Sequence, residues 1–216
     1  MHTHSGSLDY RQFMWGLSNG IFVGALAGAF WFSMAAWSAG WLPAELPIPI
    51  VAAVLAYGAV RVRREATGFR LRELKTAADT EQARARRIQI GFRWLSLLEG
   101  GLVGLSFFLC SHFHREDLMW PGMALAVSLH FLALGYLLHM RPYYATAVSG
   151  SLVAVVSLVI PHAALSPEMR TALACTGMGA AIWITTAYNL LRADRLAGMW
   201  IVQTGGVCHD ARELAR

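Results

Sequence analysis

Charge is scarce in these 216 residues. Asp, Glu, Lys and Arg together make 14% of the chain, and of its 18 basic side chains a single one, Lys75, is lysine. A soluble globular chain carries about 25% charged residues. The apolar share is 56%, more than a chain of this length can hide from water in one core. The solvent for that surface is lipid, so a polytopic membrane protein is expected. Cysteine is also short: Cys110, Cys175 and Cys208 make an odd number with no CxxC, which argues against a disulfide framework or a zinc cluster. Walker loop, HExxH, Rossmann glycine pattern and nucleophile elbow are all missing from the sequence. No nucleophile–base set is visible, no cofactor is expected, and an enzyme ranks behind other readings.

Six apolar segments can each form a spanning helix of roughly 20 residues: 13–37, 46–60, 91–110, 118–139, 142–160 and 171–191. The stretch following MHTHSGSLDYRQF is too long for a signal-peptide core and reads as a retained first span. The second segment is short and opens with Pro47 and Pro49, so it must borrow residues 42–44 or lie in a thinned bilayer. Connections 38–45, 111–117 and 161–170 hold only Arg115 and Arg170, while nearly all other arginines fall on the opposite side. Cytoplasmic loops carry the excess of Arg and Lys. The expectation is an all-α, multi-pass protein of a cell inner membrane with six transmembrane helices and both termini cytoplasmic. It forms one integral domain over 1–216, with a basic connecting segment at 61–89 and a tail at 192–216. The net charge of +5 is concentrated there: nine of the 18 basic residues lie between Arg61 and Arg87, among four acids. That fits a face beside anionic lipid, not a nucleic-acid footprint.

Glycine is patterned. Gly16, Gly20, Gly24 and Gly28 recur every fourth residue in the first segment, and Gly100 and Gly104 do so in the third. Small residues at this spacing let helix backbones approach closely where hydrophobicity gives no drive to associate. The first span is therefore expected to be a central packing helix, with the third as its candidate partner. At an offset of eighty, Leu17-Ser18-Asn19-Gly20 lies over Leu97-Leu98-Glu99-Gly100, a parallel repeat if it is a true duplication. Segments five and six carry small, weakly polar stripes: Thr146, Gly150, Val153 and Ser157, then Thr171, Cys175, Gly179, Ile182, Thr186 and Asn189. Such faces pack on neighbours or wall a polar path.

Glu99 is the carboxylate well inside a span, about eight residues, or roughly 12 Å, past Gly91. An intramembrane acid is costly and marks a functional site by default; the alternative is a strut paired with an arginine such as Arg93 of another helix. Ser96 and Ser106 are placed on the same face, and Asn19 is the match of Glu99 under the repeat. His130 sits in the middle of the fourth segment, either a hydrogen-bonded core residue or a proton-relay partner, metal ligand or haem ligand. His139 is out of phase with it, so one helix cannot aim both at a haem. In the loop after the third segment, His112 and His114 alternate and, on an extended strand, could bind zinc or copper, with His162 or a carboxylate completing the site; interfacial polar residues are the simpler reading.

The stretch Val127-Ser-Leu-His130-Phe131-Leu-Ala133-Leu, with Tyr143-Tyr144 opening the next segment and Glu99-Gly100-Gly101 before it, resembles a group of small polytopic bacterial membrane proteins. Their matching helix carries a GLHFxPLA stretch, and Gln-Gly stands in place of Glu99-Gly100. This chain departs from the pattern at Leu132 and lacks the proline. The resemblance covers the third to fifth segments and implies that His130-Phe131 belongs to a shared pattern; it implies no activity. From the residues, two functions are expected in order. The first is a small permeation protein for an ion, proton or small solute, acting as a homo-oligomer through Glu99 and His130. The second is a structural or accessory subunit of a larger membrane complex. Lipid is the partner common to both.

Overall fold

The computed structural model describes residues 6–41, 47–68, 79–138, 140–161 and 163–193. Within them the chain forms six helices: α1 (Gly6–Ala39), α2 (Pro47–Gly68), α3 (Asp79–His112), α4 (Met119–Leu138), α5 (Arg141–Val159) and α6 (Pro167–Leu191), with one 3-10 turn (Glu116–Leu118) before α4. Four stretches are long and apolar enough to cross a membrane: Gly16–Ala39, Arg93–His112, Glu116–Leu138 and Arg141–Val159. The other two helices, α2 and α6, fall short of that standard for different physical reasons. In α2 the final turns carry Arg61, Arg63 and Arg64. In α6 the residues are small or weakly polar because the helix is the centre of the bundle, and twelve of its side chains are buried. A helix shielded from lipid by its neighbours need not be strongly apolar.

Local chemistry sets the helix ends. The N–H of Gly40, at φ +69°, donates to Trp37 O at 3.2 Å, and that of Trp41 donates to Ala36 O at 2.8 Å. This paired pattern closes α1 with glycine in the left-handed position it tolerates best. The end of α3 repeats it: His114 N donates to Ser111 O and Arg115 N to Cys110 O, with His114 itself at φ 53°. Pro142 sits at the start of α5, where its missing N–H is no loss. At α6, Ser166 accepts from Met169 N at 3.3 Å. The exposed carboxyl of Glu168 in the same turn is held below its usual range by its own backbone N–H and by the Ser166 hydroxyl.

Packing radiates from α6, which meets α1, α5, α4 and α2, whereas α3 packs on α4 and the 3-10 turn. The main core cluster joins Trp31 and Ala35 of α1, Ala124 of α4, Ala154 of α5, and Cys175, Met178 and Ile182 of α6. A smaller one sets Leu17 and Ile21 against Ala59 and Val62 of α2. The polar stripe of α6 faces inward throughout: Thr171, Cys175, Gly179, Ile182, Thr186 and Asn189 are all buried. So are Thr146, Gly150 and Ser157 on α5.

The glycine ridge does pack closely, but its partner is α6 and not α3. A Cβ at Gly24 would overlap the Thr186 side chain, one at Gly28 would overlap the Trp183 indole, and one at Gly20 would lie 3.4 Å from the Tyr143 hydroxyl. Trp183 Nε1 also donates to Ala25 O at 3.1 Å, fixing the indole across α1. At Gly16, Gly100 and Gly104 a Cβ would meet nothing within 4 Å. Gly16 is exposed. The other two are on the side of α3 turned away from α4, its one helical neighbour among the contacts that seat it.

Candidate functional site

The acid within the apolar stretch of α3 finds a partner on the adjacent helix. Glu99 Oε2 lies 3.4 Å from His130 Nδ1, with the two side chains 33% and 12% exposed. Their meeting follows from antiparallel packing of α3 on α4. Glu99 is 13 residues before His112, the last of α3, and His130 is 11 residues after Met119, the first of α4, so both sit roughly 16–20 Å from the turn that joins the two helices. Leu95 and Leu134, in one buried cluster with Tyr143, hold the two helices together one turn away. The imidazole sits edge-on to Phe131, and Phe131 in turn stacks on Tyr143 of α5 at 6.0 Å. His130 Nδ1 is buried and makes no hydrogen bond, which leaves the carboxylate, a few tenths of an ångström beyond bonding range, as the group it addresses.

The residues grouped around Glu99 by sequence distribute differently. Ser106 lies on the α4 side and donates to Leu102 O at 2.9 Å, close to Gly122. Ser96 and Asn19 are exposed. Asn19 belongs to α1, which does not pack on α3, so the alignment of Asn19 with Glu99 does not translate into a shared site. Arg93 is exposed, and the ionisable side chain beside Glu99 is His130.

The histidines after the third segment form no extended strand. His112 ends α3, stacked on Phe108 at 5.8 Å, and His114 turns away in the left-handed position that closes the helix. The alternation needed to point both at one ion is therefore lost. His139 and His162 lie outside the described residues, and among those described no three His, Cys, Asp or Glu side chains gather at a metal-binding distance.

Two polar features escaped the sequence. Arg170, counted as a loop charge, is 1% exposed. Its guanidinium donates to Ser157 O at 3.1 Å, Leu158 O at 3.4 Å and Ile160 O at 2.7 Å, the carbonyls that the last turn of α5 leaves without helical donors. The signal for it was an arginine stranded on the Arg-poor side, one turn into a helix. Nearby in kind though not in place, Thr146 meets Thr185, tying α5 to α6. A shallow groove of about 380 Å³ between α4 and α5 is lined by apolar residues with Ser128 and Ser151; it holds no ionisable group.

Comparison of the chain with protein-family models, with curated proteins and with solved structures yields no match.

Proposed function

We propose that this chain is a six-span inner-membrane protein, both termini cytoplasmic, that passes an ion, a proton or a small solute by way of the Glu99–His130 pair. One observation carries the reading: a carboxylate and an imidazole, each costly within lipid, are brought to 3.4 Å of one another where two apolar helices cross. Two ionisable side chains brought together at such depth mark a site that binds or moves something by default. The buried Arg170 is accounted for by helix carbonyls, whereas no structural task of that sort falls to Glu99.

Replacement of Glu99 by Gln keeps the size of the side chain and removes its charge. Purified variant in proteoliposomes should lose flux of the transported species by roughly 100-fold, the scale of a positioned proton-transfer group, with its melting temperature close to that of the parent. Parental flux of every ion tried, from a variant that folds, would remove Glu99 from the function. The orientation has its own check. With Cys208 as the sole cysteine, a membrane-impermeant thiol reagent should label it after lysis and leave it untouched in intact cells; equal labelling would reverse the topology.

A second reading, an accessory subunit of a larger membrane complex, is favoured by α3. Only 6% of its apolar span is buried, against 28–33% for the other three, and Gly100, Gly101 and Gly104 stand bare. Native mass spectrometry of the detergent-solubilised protein separates the cases: a homo-oligomer accords with permeation, a stoichiometric foreign subunit with the accessory role.

A further inference from the structure

We propose that the species handled by the Glu99–His130 pair is the proton itself, the two groups acting as a two-station relay across the α3–α4 contact. This rests on the permeation reading above and narrows it. A metal ion asks for three or more donors, four for zinc and six to eight for calcium. Here one imidazole nitrogen faces one carboxylate oxygen, and among the described residues no third His, Cys, Asp or Glu joins them. Helix backbone carbonyls around the pair are engaged in their own helices and cannot strip the hydration shell of an alkali cation as a pore of free carbonyls does. A proton needs only two sites separated by a hydrogen bond. The 3.4 Å gap requires closure by roughly half an ångström to reach the 2.7–3.2 Å of an N–H···O bond, and such catalytic contacts are commonly long before the productive state forms.

The step balances as follows. A proton taken up at Nε2 converts neutral His130, protonated at Nδ1, to the imidazolium. The Nδ1 proton then passes to the Glu99 carboxylate, giving a neutral carboxylic acid and a neutral imidazole that carries its proton at Nε2. Glu99, the less enclosed of the two at 33% against 12%, releases that proton to a water molecule admitted along the open side of α3; rotation of the His130 side chain about both Cα–Cβ and Cβ–Cγ then turns Nε2–H toward Glu99, and the next proton enters at Nδ1. No oxidant, reductant or second ion enters. Other ionisable side chains on the elements around the pair stand apart from it. Arg93 is six residues, or roughly 9 Å, along α3. Tyr143 and Tyr144 of α5 meet Phe131 and Gly135. Asp117 of the 3-10 turn pairs with Arg115, and Arg170 of α6 holds α5 carbonyls. Cys175 of α6 lies in the main core cluster with Ala124 and Ala154.

The test is proton entry into proteoliposomes of the full chain, read by a trapped pH dye under a valinomycin potassium potential, with choline as the external cation. Inward proton flux is expected, slowed two- to fourfold in D₂O. Glu99→Gln and His130→Gln should each abolish it, and the double variant should lose no more than either single one, because two stations of one relay fail as a unit. Proton flux that survives both single substitutions would overturn the relay. Flux of rubidium or sodium without proton flux would overturn the relay while leaving the permeation reading in place. Absence of flux for every species, from protein that melts as a folded bundle, would overturn both.

Discussion

Arg170→Met should be the most damaging single substitution in the chain, lowering stability by about 4 kcal/mol. The guanidinium is 1% exposed and supplies donors to three carbonyls at the end of α5. Each is a charge-assisted bond, and a buried carbonyl stripped of its donor costs about 1–3 kcal/mol. The cation also sits at the negative end of the α5 dipole, where positive charge is favoured. Methionine fills much of the volume but restores none of these interactions, so the α5–α6 hairpin loses its outer clasp. For a chain of this size the expected fall in Tm in detergent is more than about 8 °C, measured by far-ultraviolet circular dichroism during heating. Arg170→Lys should recover less than half of the loss, because a single ammonium cannot reach across three carbonyls as the planar fork does. A methionine variant that melts with the parent would show that those carbonyls are satisfied in another way.

Gly28→Ala should come next, at about 3 kcal/mol, though it adds only one methyl group. That methyl would overlap the Trp183 ring, and the indole cannot step aside without giving up its bond to Ala25 O and its contact with Phe32, 4.6 Å between ring centres. Overpacking of this kind typically costs about 1–3 kcal/mol, and the lost hydrogen bond about 1 more. The expected loss of Tm is about 6–10 °C. Gly104→Ala is the matched control, since a Cβ there meets nothing within 4 Å; on an exposed helical site alanine should be neutral or slightly stabilising. Equal losses at Gly28 and Gly104 would mean that the second glycine pair is also an occupied seat, and would place another helix against α3.

Single-residue and short-range signals were legible before any coordinates. The apolar runs place the four long spans, because the need to satisfy every backbone group in lipid leaves a helix as the answer. The stripes on α5 and α6 point to buried faces, because a helix repeats its face every three to four residues. Glu99 and His130 each stand out by cost alone. The sequence does not contain the choice of partner. Four glycines in α1 describe a smooth surface that any helix can approach, and a small-residue ridge is degenerate in this respect. It is the Thr186–Trp183 face of α6, with the α1–α2 and α5–α6 hairpins closing around it, that takes the seat instead of α3. The same holds for the pair itself: nothing links positions 99 and 130 until antiparallel packing sets α3 and α4 at one depth. Arg170 changes character most, from a loop charge to a buried clasp. Its partners are carbonyl oxygens that every residue possesses, and only the tertiary approach of the α5 terminus determines which of them it meets.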